Sequence, residues 1–218
     1  MPLLTLQSLV DRVYSKLDNN QLLYPTFPVV VDAINEALLV LNLQTGFIQT
    51  TIQVPDYSQQ NRVWYDVPDG IVIPTRVQFE NTYLQPATLN GIGQTYPNWI
   101  SDTTANTGLP VSYWVKAGLR KFGLYPADAL GGQDIRVTGV AEPTPLVNLT
   151  DAVPIPNEYV SAFDLLASHT LQLKESSALF AHSSLDYQAY MRIMKKAGMW
   201  RGMIQPRYFV EAQQPKGT

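Results

Sequence analysis

The stretch from Pro154 to Gly198 constrains this chain most, because it encodes two long helices that other parts of the molecule must cover. Pro154 and Pro156 end an extended segment, Asn157 is a competent N-cap, and Glu158 places negative charge in the first turn, where the helix dipole favours it. Tyr159, Phe163, Leu166, Ala167, Thr170, Leu171 and Leu173 then recur at three and four residue spacing. Ala162 and Leu165 widen that face, so the helix is predicted to be buried on most sides. After a break at Glu175, Ser176 and Ser177, a second helix carries two apolar stripes. Ala178, Ala181, Leu185, Ala189 and Ile193 make one, and Phe180, Tyr187, Met191 and Met194 make the other. One stripe can face the first helix. The other needs a different partner, either the chain's own sheet or a second copy of the protein, which makes Phe180, Tyr187, Met191 and Met194 the candidate subunit interface.

Upstream the period changes twice. Leu6, Leu9, Val10, Val13, Tyr14 and Leu17 mark a first amphipathic helix with Thr5 as N-cap. A second runs from about Pro28 to Leu43, with a core stripe of Val30, Ala33, Ile34, Ala37, Leu38 and Leu41 and Gly46 as its C-cap. From Phe47 the period becomes two. Phe47 to Val54 and Arg62 to Val67 read as a hairpin around the turn-prone Pro55 to Asn61. Ile71 to Pro74 bridges to a strand at Arg76 to Glu80, and Leu84 starts a short return strand. Residues 86–108 read as a long loop rich in Gly, Asn, Thr and Pro and anchored by Tyr96 and Trp99; strands follow at Val111 to Lys116, Arg120 to Tyr125 and Asp134 to Val140. The predicted fold is α+β. A helical domain of residues 1–46 and 154–198 carries an inserted, mostly antiparallel β domain of about six strands over 47–153, and an arm over 199–218 follows.

Composition narrows the function. At 218 residues the chain is long enough for a real core. It contains no cysteine, so disulfides and thiolate metal sites are excluded. No apolar run approaches the roughly 20 residues of a membrane span, and the N-terminus lacks a secretory pattern, so the chain reads as soluble, unexported and without a membrane partner. Charged residues are 15% of the chain where about 25% is usual, as suits a protein with permanent neighbours.

No catalytic constellation is present. Gly91-Ile92-Gly93 lacks the third glycine of a dinucleotide fold, and no glycine-rich loop ends in Gly-Lys-Ser or Gly-Lys-Thr. His169 and His182 are the only histidines, and both read as helix residues with structural roles. Asp32 and Glu36 share a helix face, but with no histidine or further acid at helical spacing they read as a solvated or lumen-facing edge rather than an acid-base pair. The chain is therefore expected not to be an enzyme and to need no cofactor or metal.

The last residues are electrostatically distinct. Residues 1–191 hold 9 basic and 17 acidic side chains, whereas 192–218 hold 6 and 1. Trp200, Arg201, Met203, Ile204, Arg207, Tyr208 and Phe209 combine aromatic and arginine anchors, a composition that predicts a docking arm rather than a free tail. Folding of the tail back onto its own subunit is the alternative.

The order of elements resembles the phage head-to-tail adaptor (connector) family. The resemblance rests on Pro97-Asn98-Trp99, Gly108-Leu109-Pro110-Val111-Ser112-Tyr113, Leu124-Tyr125-Pro126, Ile135-Arg136-Val137 and Leu149 through Pro156, in that order across residues 22 to 197. Tail tubular adaptor proteins of short-tailed phages share the layout. The resemblance implies a twelve-copy ring in the virion at the head-tail junction, assembled in the host cytoplasm, bound above to the portal protein and below to a tail or nozzle protein, with DNA passing through its lumen. On that implication the arm at Trp200 to Phe209 would dock the portal and Asp32 and Glu36 would line the lumen. A β-rich baseplate or receptor-binding module is the alternative class, and a tail-associated hydrolase is a third that finds no site residues in the sequence.

Overall fold

The computed structural model describes residues 4–17, 25–101, 111–118, 120–175 and 180–196. In chain order the elements are helix α1 (Leu6–Lys16), helix α2 (Phe27–Thr45), strands β1 (Gln49–Gln53), β2 (Trp64–Asp66), β3 (Ile71–Phe79), β4 (Thr82–Tyr83) and β5 (Gln85–Ala87), helix α3 (Leu89–Thr95), strands β6 (Tyr113–Ala117), β7 (Lys121–Tyr125) and β8 (Ile135–Ala141), and helices α4 (Val160–Glu175) and α5 (Phe180–Lys196). The fold is α+β, and it divides into two compact units. The described residues up to Ile48 and from Glu142 onward make a helical unit, and Gln49–Ala141 makes a sheet unit.

In the helical unit α4 packs against α1, α2 and α5. Helix α1 starts where expected, because the Thr5 hydroxyl accepts from the Ser8 amide while the Ser8 hydroxyl meets the Thr5 amide, a reciprocal cap. Helix α2 ends at Gly46 with φ 65°, and the Ile48 amide donates to Asn42 Oδ1 at 2.8 Å, so the turn out of the helix is held by a buried asparagine. By length and composition α2 would reach across a membrane, at 19 residues and a mean hydropathy of 1.3, where the sequence reading found no such run. Its apolarity has a use inside the unit: Val30, Ala33, Ile34, Ala37, Leu38 and Leu41 are all in the core. The connector before α4 is fixed by Asn35, whose side chain donates to Leu146 O at 3.0 Å and accepts from Leu146 N at 2.8 Å. Asn157 does not cap α4 directly, because a single 3₁₀ turn at Asn157–Tyr159 intervenes and buries Tyr159 against Phe47.

The sheet unit departs most from the sequence reading. There is no hairpin between β1 and β2. Strand β1 pairs with β8, and β2 pairs with β7, each antiparallel. Among the described residues two four-stranded sheets result, in orders β1-β8-β3-β4 and β2-β7-β6-β5, and of their pairs β5–β6 alone is parallel. Ile71 to Pro74, read as a bridge, belongs to β3, whose register slips between Ile71 and Ile73 and again between Pro74 and Arg76. Gly139 lies opposite this irregularity, and a Cβ there would fall 2.4 Å from Ile73 O.

Both sheets bury a common core that includes Val77, Ile135 and Val137 from one and Tyr65, Trp114, Phe122 and Leu124 from the other. The alternation of strand residues sends their neighbours Val115 and Tyr125 to the opposite face, where Ile92 of α3 and Trp99 form a second cluster. Strands β6 and β7 are thus covered on both faces, the usual reason for a nearly continuous apolar run. Gly123 serves this second face: a Cβ there would meet the Trp64 ring at 2.9 Å, and Trp64 lies edge-on to Trp99 at 5.3 Å. Residues 86–108 were read as loop, but 89–95 form α3, capped by the Thr88 hydroxyl on the Gly91 amide.

Candidate functional site

The candidate subunit surface lies on α4 and α5. His169 of α4 and Ser183 of α5 join the pair: Ser183 Oγ lies 2.7 Å from His169 Nδ1, which lies 2.9 Å from Ser183 O. The His169 ring lies 4.8 Å from the exposed Tyr187, whose ring lies 6.0 Å from the buried Tyr190. Tyr190 donates its phenol proton to Gln44 of α2, and burial, together with the neighbouring Tyr187 phenol, holds its own phenol well above the usual range. Histidine thus has a packing and hydrogen-bonding role here. Among the described residues no group of three or more histidine and acidic side chains is placed to hold a metal.

The two stripes read from sequence do not survive as separate faces. Phe180 opens α5, Tyr187 is exposed, Met191 is half-buried against the core, and Met194 is 2% exposed and belongs to the helical core. Met194 therefore drops out of any surface stripe, and Leu185, from the other stripe, is 62% exposed. Leu185 and Tyr187 of α5 and Leu173 of α4 are the exposed large apolar side chains of these two helices among the described residues. Asp32 and Glu36 are both exposed on α2. Trp200, Arg201, Met203, Ile204, Arg207, Tyr208 and Phe209 lie outside the described residues, as does His182's side chain.

Beside this surface, one face of α4 carries polar groups into the core at four-residue spacing. Asp164 accepts from Arg12 Nε at 3.0 Å and Nη2 at 2.5 Å through Oδ2 alone, and this pairing raises the Arg12 pKa. Asp164 Oδ1, Ser168 Oγ and Gln172 Oε1 are buried without a hydrogen-bond partner among the described residues. No sequence signal marked this stripe, since serine and glutamine inside an apolar helix read as interruptions of its face.

The sequence matches the SU10 adaptor protein family over residues 4–207. The chain belongs to that family. It is a structural phage protein of the head-to-tail adaptor class, a component of the virion at the head-tail junction that interacts with other head and tail proteins. No curated protein matches it. Membership in an adaptor family accords with a non-enzymatic reading and favours the adaptor over a receptor-binding module or a hydrolase. The motifs that carried the resemblance are architectural in this adaptor: Trp99 and Tyr125 meet edge-on at 6.3 Å beneath α3, and Ile135 and Val137 fill the core between the sheets.

Proposed function

We propose that this adaptor assembles as a twelve-copy ring between the portal and the tail and forms a conduit through which genomic DNA is packaged, retained and ejected. Family membership supports the junction. The observation that carries self-assembly is the exposure of Leu173, Leu185 and Tyr187 on α4 and α5, in a chain whose charged fraction is only 15%. Closed rings use heterologous contacts, so this surface would meet a different patch of the next copy. The half-buried Met191 would border the contact, and Phe180 is its candidate first residue.

The arm around Trp200 to Phe209 is proposed to dock the portal, because its cations and aromatic anchors suit an acidic groove. DNA must slide through the lumen, and every phosphate contact through lysine or arginine would retain it, so a neutral or acidic lining is expected, with Asp32 and Glu36 as its candidates.

Paired glutamates at Leu185 and Tyr187 should abolish the ring while leaving circular dichroism unchanged, read by mass photometry of the protein with and without portal. Rings of undiminished mass from that variant would refute the surface assignment. A chain truncated after Gly198 should remain folded and fail to capture portal-containing heads, and undiminished capture would move the portal contact elsewhere.

A further inference from the structure

The sheet unit contains a cleft of about 310 Å³ whose floor is the buried Val54, Tyr65, Val67 and Pro68. Arg62 lines it from the loop before β2, and Arg120 from the turn between β6 and β7. Arg62 is half-buried and fixed on two sides. Its Nε donates to Trp64 O at 2.7 Å, and its guanidinium carbon stands 5.1 Å from the centre of the Tyr65 ring. That ring is held in turn, because the Tyr65 hydroxyl accepts the Gln59 amide at 3.1 Å. The backbone is fixed as well: the Asn61 amide donates to Asp128 O at 2.7 Å and the Arg62 amide to Gln59 O at 3.1 Å.

These contacts use no carboxylate, and they leave both terminal nitrogens of the Arg62 guanidinium without a partner among the described residues. An acid stands nearby, since Asp56 lines the same cleft, yet no ion pair joins the two. The other rim charges are answered locally. Asp69 pairs with Arg120 at 2.9 Å, and Asp66 stands opposite Lys121 in the β2–β7 register. Arg62 therefore presents an open pair of N–H donors in one plane, which a single carboxylate matches by accepting both. An arginine confined in this way has lost its rotamer freedom before any ligand arrives, which lowers the cost of binding.

The geometry points to this cleft as a recognition site for one acidic side chain, an aspartate or glutamate of another protein chain, held by the terminal nitrogens of Arg62. Size and charge select that occupant. At about 310 Å³ the cleft is at the small end of ligand sites, enough for a side chain and its flanking backbone. Asp56, Asp66 and Asp69 balance Arg62, Arg120 and Lys121, so no excess of cations is present to hold a phosphate backbone. Asp56, which has no ion-pair partner among the described residues, disfavours a second carboxylate and favours a basic residue beside the first. Nothing in this recognition requires a ring or a fixed order of portal and tail, so it stands or falls apart from that reading.

The test uses the full-length chain and ligand-observed saturation-transfer NMR with a blocked tetrapeptide carrying one glutamate beside one lysine. This peptide should bind at least about tenfold more tightly than the same peptide with glutamine in place of glutamate, the loss expected for one charge-assisted pair. Arg62→Lys keeps the charge and loses the fork, so it should weaken binding about tenfold while circular dichroism stays unchanged. Asp56→Asn probes the same site through a gain: it should strengthen binding of a peptide with two adjacent glutamates, a result that a misfolded variant does not give. Equal binding of the glutamate and glutamine peptides would overturn the proposal, and so would an Arg62→Lys chain that binds as well as the unsubstituted one. Displacement of the peptide by a short DNA duplex would also overturn it, since the cleft would then be a phosphate site.

Discussion

The helical and sheet units both bury polar groups, and one serine in each shows how differently such a group can fare. In the sheet unit Ser58 is 3% exposed and sits in a network where its hydroxyl both donates and accepts. In the helical unit Ser168 is 0% exposed and its hydroxyl has no partner among the described residues, one turn from Asp164 Oδ1 and one turn from Gln172 Oε1, which have none there either. The packing differs in the same sense. Small residues such as Ala33, Ala37, Ala162 and Ala167 let the helices approach closely, while the sheet unit fills its interior with Trp114, Tyr65 and Phe122. Ser58 recruits a loop amide, whereas the amides around Ser168 are already committed within α4.

The largest expected effects break either core outright. Phe163→Ala in the helical unit and Trp114→Ala in the sheet unit should each cost about 3–5 kcal/mol. Hydrogen exchange should rise first in the unit that carries the substitution. Next comes Gly139→Ala in the sheet unit. Its methyl would collide with the Ile73 backbone oxygen at 2.4 Å as well as with Ile71 Cγ2 at 2.5 Å, so a loss of about 1–3 kcal/mol is expected by denaturant titration.

The comparison is sharpest in a pair of identical substitutions. Ser58→Ala should destabilise by about 1–3 kcal/mol, because it strands the Gln133 amide and one acceptor site of Asp128. Ser168→Ala should be neutral or stabilising, since it removes a group that is buried without a partner. Equal losses at both positions would contradict the contrast between the units.

The smallest effect is electrostatic and belongs to the connector before α4. Asp151 accepts the amides of Val147 at 2.9 Å and Asn148 at 2.8 Å, and these bonds hold its pKa below the usual carboxylate value. A carboxylate depressed on folding stabilises fully above its unfolded pKa of about 3.9 and loses that contribution as pH falls through the folded value. The melting-temperature difference between the unsubstituted chain and Asp151→Ala should therefore shrink in acid below about pH 4.

What could be read from sequence follows the range of the interactions. Helices α1 and α2 were legible because three and four residue spacing, the Thr5 cap and the Gly46 stop all act within a few residues. Strand pairing was not, because Thr51 finds its partner at Thr138 and no local signal reports a partner 87 residues away. The nearby Arg62 to Val67 segment offered a plausible hairpin, and tertiary packing overrode it. Helix α3 was hidden by Asn90, Gly91 and Gly93, which lower helix propensity, and burial of Ile92 against the sheet compensates for them. On α5 the spacing identified apolar residues but not their fates. Met194 turned inward and Leu185 outward, a choice made by the surroundings of α4 and α5 together rather than by either stripe.

The claim on which the functional account depends is that copies of this adaptor close into a ring through the α4–α5 surface and seat on the portal. Mass photometry of the full-length protein mixed with purified portal tests it most directly. The account predicts a single portal-bound species carrying twelve chains, lost when Leu185 and Tyr187 are both replaced by glutamate. A portal-bound species with one chain, or no bound species at all, would contradict it.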